Sequence, residues 1–225
     1  MLFRSPMGGD VSAPMLPDPP APDVLRSLGI QADETRVIQT AEVWWRVHRT
    51  VGGHVLAWNA FRAYGPLLRF DPHALPRGED PGHGVWYGAW TPDAALGEAF
   101  QVDRTIDREL GSPYLTGLSF TRPLTVLDLA TDSAGAWATR VGGTFAMSTG
   151  PHEVTQHWAR TIVEAFPDLD GLRYNSRFAG APCLALFLPT LTAMPARPKL
   201  SLPLTHPDLT SRIAGAARRL GYNVV

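Results

Sequence analysis

The chain's hydrophobic and polar positions change period several times, and each change marks an element. Val43–Arg49 alternates and is aromatic and β-branched, so it reads as a strand. Trp44, Arg46 and His48 share one face of it; Val43, Trp45, Val47 and Arg49 share the other. Val85–Trp90, aromatic and set off by the glycine-rich loop before it, reads as a short buried strand. Thr91-Pro92-Asp93 then opens a helix: Thr91 accepts from a free first-turn N–H, Pro92 needs no N–H partner, and Asp93 meets the positive end of the dipole. Ala95, Leu96, Ala99 and Phe100 give that helix an apolar face, which fades by Asp103–Leu110. The clearest amphipathic helix is Pro151–Phe166, with Val154, Trp158, Ile162 and Phe166 every four residues, Gln156, His157, Arg160 and Glu164 toward water, and Pro167 as its stop.

Shorter signals fill the gaps. Asp23–Leu28 predicts a small helix capped by Gly29, and Thr35–Gln39 a lead-in strand. Tyr114–Thr121, Leu124–Leu129 and Cys183–Leu188 read as strands, Ser133–Val141 as a short helix and Asp208–Tyr222 as a terminal one. Pro72–Gly84 and Pro189–Pro207 read as loops, with His73 and His83 at the surface because no metal-ligand spacing surrounds them. Residues 1–22, rich in Pro and Gly, read as a mobile tail. There is no regular βαβ rhythm, no glycine-rich phosphate loop and no internal repeat, which favours α+β over a doubly wound sheet.

Composition narrows the classes. At 225 residues and 44% hydrophobic the chain can bury a sizeable core, and a formal net charge of −1 gives no basic footprint for nucleic acid or an anionic membrane. One cysteine, Cys183, excludes an internal disulfide, reads as a small buried hydrophobe, and fits a reducing cytoplasm. No apolar run is long enough to span a membrane.

Three polar side chains sit where apolar ones are expected. Glu98 lies within the apolar face of its helix; it either edges the stripe and reaches water or points into a cleft and does chemistry. Arg46, mid-strand, either snorkels from an edge or grips a phosphate or carboxylate. Arg69 stands at the end of an extended piece before the Asp71-Pro72 turn. Ser176, between Asn175 and Arg177, has no nucleophile-elbow pattern around it, so a serine hydrolase is rejected.

Taken in order, Trp45-Arg46-Val47, Leu68-Arg69-Phe70-Asp71, Val85-Trp86-Tyr87, the Glu98 helix and Gly171-Leu-Arg-Tyr-Asn-Ser176 before a Leu/Phe strand resemble the RES domain family, named for its Arg, Glu and Ser. The resemblance divides the chain into a tail (1–22), a lead-in (23–42), a RES-like catalytic domain (43–190) and a C-terminal loop and helix (191–225). It implies an ADP-ribosyltransferase-like split antiparallel sheet with short flanking helices around an NAD cleft. It also implies a cytoplasmic toxin that degrades NAD by hydrolysis or phosphorolysis of the nicotinamide–ribose bond, neutralised by a cognate Xre-type antitoxin, and a homodimer. NAD would be a substrate, with inorganic phosphate as a possible co-substrate; no cofactor or metal is expected. The matched positions are Arg46, Arg69, Tyr87, Glu98 and Ser176. On this reading Glu98 stabilises positive charge on the ribose, Arg46 and Arg69 hold the pyrophosphate, Tyr87 stacks, and Ser176 orients the substrate. ADP-ribosyl transfer to a protein and a non-catalytic nucleotide- or partner-binding module are the alternatives. Asp71 departs from the pattern, which has Asn after Arg-Phe.

Overall fold

The computed structural model describes residues 16–225. It contains strands β1 (Thr35–Ile38), β2 (Trp44–Arg49), β3 (Tyr64–Gly65), β4 (Gly78–Glu79), β5 (Trp86–Ala89), β6 (Thr105–Ile106), β7 (Pro113–Leu118), β8 (Leu124–Asp128), β9 (Gly171–Asn175), β10 (Pro182–Leu186), β11 (Leu200–Pro203) and β12 (Asn223–Val224). The helices are α1 (Pro22–Leu28), α2 (Pro92–Ala99), α3 (Trp137–Arg140), α4 (His152–Ala165) and α5 (Thr210–Leu220).

Eight strands form one sheet in the order β1-β8-β9-β10-β5-β2-β7-β11. The architecture is α+β, and the sheet is mixed: β8 and β9 run parallel, the other neighbours antiparallel. Its one weak seam is between β5 and β2, which meet only at Trp45 and Ala89, whereas β2 pairs with β7 along its whole length. Beyond that pair the strands diverge, and the segment carrying Trp58, Ala60 and Arg62 fills the gap: Arg62 bridges Val85, and Arg46 donates to Ala60 O at 3.0 Å.

The two faces are covered differently. One packs against all five helices, with Leu25, Leu96, Trp137, Trp158 and Ile213 in its core. The other, holding Trp44, Trp86, Leu118 and Leu184, is covered by Trp58, Phe61, Ala193 and Met194 from irregular segments. Thr91 caps α2 as its sequence dictates, accepting from Ala94 N at 3.2 Å. α4 buries Trp158 and Ile162 completely.

Several expectations need correction. The helix at Pro92 stops at Ala99, with Ala99 exposed, and Thr105–Ile106 is a strand. The segment expected as a helix over Ser133–Val141 is helical only at Trp137–Arg140. Leu200–Pro203, within a presumed loop, is the edge strand β11, where proline at the end costs no ladder bond the fold needs. His73 is fully buried, its ring fitted where Gly65 has no side chain, and its Nε2 lies 3.1 Å from Arg62 O. Gln156 is also buried and donates to Leu68 O at 3.0 Å. Of the expected tail, residues 1–15 lie outside the described residues; Leu16 is buried, and Pro17 O accepts from Trp158 Nε1 at 2.7 Å.

Candidate active site

The helical face of the sheet gathers the side chains of the candidate cleft from four parts of the chain. α2 supplies Glu98, β5 supplies Tyr87, the turn before Phe70 supplies Arg69, and the loop after β9 supplies Ser176 and Arg177. Glu98 is half-buried, and its pKa is raised above the ordinary carboxylate value by that burial. The Ser176 hydroxyl beside it and the charges of Arg177 and Arg69 oppose the rise without cancelling it. Among the described residues Glu98 forms no ion pair.

Ser176 is buried, and its Oγ accepts from Phe178 N at 3.2 Å and Ala179 N at 3.1 Å. A hydroxyl has two acceptor positions and one proton. Both acceptor positions are taken by backbone, which leaves its proton available to the Glu98 carboxylate beside it. Two backbone donors thus fix the position of the Ser176 hydroxyl.

Arg69 is 8% exposed and donates to Gly150 O. Its pKa is lowered first by burial and then by Arg177, while Tyr174, Glu98 and Tyr87 push it back up. No carboxylate pairs with it among the described residues, so two guanidiniums, Arg69 and Arg177, stand near Glu98 without an anion between them. The Tyr87 hydroxyl is committed: it donates to Asp71 Oδ1 at 2.8 Å and accepts from Phe70 N at 3.1 Å. Burial, then Asp71, holds its pKa well above 10, so only the ring is free to act, by stacking.

Asp71 organises this side of the cleft. It is fully buried and accepts from Arg62 Nη2 at 2.7 and 2.8 Å, Leu67 N at 2.6 Å, Leu68 N at 3.0 Å and Tyr87 Oη. One carboxylate thus fixes both the turn bearing Arg69 and the strand bearing Tyr87.

Arg46 is not brought into this cleft. It shares the opposite sheet face with Trp44 and lies 5.6 Å from the Trp86 ring centroid. Its guanidinium donates to the carbonyls of Trp58 and Ala60, and burial first, then Arg62, lowers its pKa to about 10. There it clips β2 to the segment that fills the seam. Beside it His48, whose Nε2 lies 3.0 Å from Thr116 Oγ1, is pushed down to about 4 by burial and by Arg46.

Sequence reasoning passed over three groups that the fold assembles around Glu98 and Arg69. Arg177 follows the serine and carried its own signal there. Tyr174 lies 4.8 Å from Phe70, ring to ring, beneath the cleft. His152 starts α4, and burial, then the charges of Arg69 and Arg177, lower its pKa. Alternation along Leu172–Phe178 could have placed Tyr174 and Ser176 on one face; nothing local marks His152.

A half-buried carboxylate, a serine hydroxyl beside it and two guanidiniums without a carboxylate partner among the described residues thus meet on the helical face of an α+β fold. The RES domain profile matches residues 43–205, and the chain belongs to the RES domain family. That match extends past 190 to take in β11. Among solved structures, the chain is similar to one in the crystal structure of the M. tuberculosis MbcT–MbcA toxin–antitoxin complex, with 20% identity and a TM-score of 0.54 over 86% of this chain and 98% of that one. No curated protein sequence matches it. Among the described residues no group of His, Cys, Asp and Glu is placed to hold a metal ion, and no helix is long and apolar enough to cross a membrane.

Proposed function

We propose that this chain is a toxin that degrades NAD by cleaving its nicotinamide–ribose bond. The observation that carries the reading is the half-buried Glu98 carboxylate, without an ion-pair partner among the described residues and lying close to Ser176, Arg69 and Arg177. NAD brings a cationic pyridinium as its leaving group. When the bond from ribose C1′ to the ring nitrogen breaks, the electron pair leaves with neutral nicotinamide and positive charge grows on the ribose. Glu98 stabilises that charge and binds the ribose hydroxyls. Arg69 and Arg177 hold the pyrophosphate, and the Tyr87 ring supports the nicotinamide or ribose by stacking. An oxygen of water or of inorganic phosphate then bonds to C1′. In hydrolysis the water's proton passes to Glu98, whose pKa, raised by burial, makes it a stronger base than an ordinary carboxylate.

The similar fold in a toxin–antitoxin complex supports an antitoxin partner here. We assign it to the Xre type on the family resemblance alone.

The test is to incubate purified protein with NAD, with and without phosphate, and follow products by NMR. Free nicotinamide is the expected product, and its dependence on phosphate separates phosphorolysis from hydrolysis. Glu98→Gln should abolish the release while the fold is kept, a loss of about a thousandfold if the charge stabilisation is the main contribution. Retained turnover in that variant overturns the assignment of Glu98. No release from the wild type overturns NAD degradation in favour of a binding module, and nicotinamide release only with an acceptor protein points to ADP-ribosyl transfer.

A further inference from the structure

The residues beyond the matched family region do not trail away from the cleft; they close on the helix that carries Glu98. α5 lies along α2, and its last turn and the tyrosine just beyond it each reach α2. Arg219 Nε donates to Asp93 Oδ2 at 2.6 Å, and Tyr222 Oη donates to Gly97 O at 3.2 Å. Asp93 and Gly97 are four residues apart, so both grips fall on one face of α2, and Glu98 is the next residue along.

The second grip meets a definite need. Carbonyls in the last turn of a helix lack partners within it. Leu96 O is taken by Phe100 N and Glu98 O by Gln101 Nε2 at 2.9 Å, and Tyr222 supplies the donor for the carbonyl between them. Gly97 sits where the two helices meet: a Cβ there would stand 3.3 Å from Leu220 Cδ2 and 3.5 Å from Phe178 Cβ, so α5 and the Ser176 loop close on the same point. Gly221, at φ 67°, ends α5 in the left-handed conformation, and Tyr222 N returns to Ala217 O at 2.9 Å, which aims the tyrosine inward. Asn223–Val224 then pairs in parallel with β6, just after α2, and Arg104 stands 5.6 Å from the Tyr222 ring. The Glu98 charge reaches Tyr222, whose pKa is raised by burial first and then opposed by Arg104.

We infer that α5 and β12 form a clamp that fixes Glu98, with Tyr222 as a positioning residue acting through the Gly97 carbonyl. The inference deepens the proposed NAD-cleaving role and rests on Glu98 being the working carboxylate. Removing the Tyr222 hydroxyl frees the last turn of α2, admits water to Glu98 and weakens its alignment with Ser176.

The experiment compares full-length wild type with Tyr222→Phe, which keeps the ring and its packing. One readout is nicotinamide release: kcat should fall about three- to tenfold, the worth of one hydrogen bond, with KM for NAD nearly unchanged. The other needs no substrate: the Glu98 side-chain 13C shift is titrated in glutamate-labelled protein and assigned as the signal lost in Glu98→Gln. Its midpoint should move down toward the ordinary carboxylate value as burial relaxes. An unmoved midpoint overturns the clamp, even if the melting temperature drops, because the tyrosine's role is then structural only. If the wild type releases no nicotinamide, the NAD reading falls while the midpoint still decides the clamp: moved supports it, unmoved overturns it.

Discussion

Replacing Asp71 by Asn tests the wiring of the cleft directly, since the two side chains differ by one oxygen for one amide. Asp71 Oδ2 accepts from Leu67 N, Leu68 N and Arg62 Nη2, while Oδ1 accepts from Arg62 Nη2 and Tyr87 Oη. An asparagine can keep its oxygen at the Oδ2 position and hold the two backbone N–H groups. Its NH₂ then faces Arg62 and Tyr87, both donors. Arg62 Nη2 keeps only the neutral oxygen at the Oδ2 position, so losing the charge and the Oδ1 bond costs about 1.5–3 kcal/mol, and the Tyr87 proton without an acceptor adds about 1 kcal/mol. Arg62 remains bonded to Tyr64 O and is 19% exposed in its side chain, which keeps the loss below that of a wholly buried pair. The sum is about 3 kcal/mol, or about 6–12 °C in melting temperature for a chain of this length. Calorimetry and urea titration of Asp71→Asn measure it. A double-mutant cycle with Arg62→Met should show the two changes costing at least about 1 kcal/mol less together than separately. A loss under about 0.5 kcal/mol, or strict additivity, would refute the account of Asp71 as the shared acceptor.

Two further outcomes follow from the same geometry. Ser176→Ala removes a group that lowers the Glu98 pKa, so the carboxyl should titrate at still higher pH. The acid limb of nicotinamide release should shift the same way, while a limb at unchanged pH would show that Ser176 does not donate to Glu98. The sign for stability runs opposite to activity. With a folded pKa above the unfolded one, Glu98 is bound more tightly to its proton in the native state. The protein is thus most stable with respect to this group below the ordinary carboxylate range and loses that contribution as pH rises through the raised value. Gly171→Ala should destabilise by about 3 kcal/mol in urea titration, because its Cβ would lie 2.3 Å from Ala185 O and 2.8 Å from Leu186 Cα, and central strands β9 and β10 would have to part. A near-neutral result would mean that this pair of strands yields more readily than close packing allows.

What the sequence determined alone is what depends on neighbours in the chain. The alternation of Trp44–Arg49 made a strand, the four-residue repeat of Val154, Trp158 and Ile162 made α4, and Thr91-Pro92 started α2 where the capping chemistry allows. The order of the Arg69, Tyr87, Glu98 and Ser176 motifs was likewise legible, and the fold gathers those four on one sheet face. Only the tertiary structure decided the rest. Alternation put Arg46 and Trp45 on opposite faces without saying which face held the cleft; that depended on where the helices packed. His73 and Gln156 look like surface residues until Gly65 and Leu68 O, far along the chain or across a turn, give them a place to be buried. Asp71 drew notice only as a turn residue and a departure from a pattern, because its donors come from Arg62, Leu67, Leu68 and Tyr87 and meet only on folding. The bond from Tyr222 to Gly97 spans 125 residues, and no local period or propensity carries information over that separation. Short-range chemistry writes elements into a sequence; the partners that satisfy a buried polar group are chosen by packing.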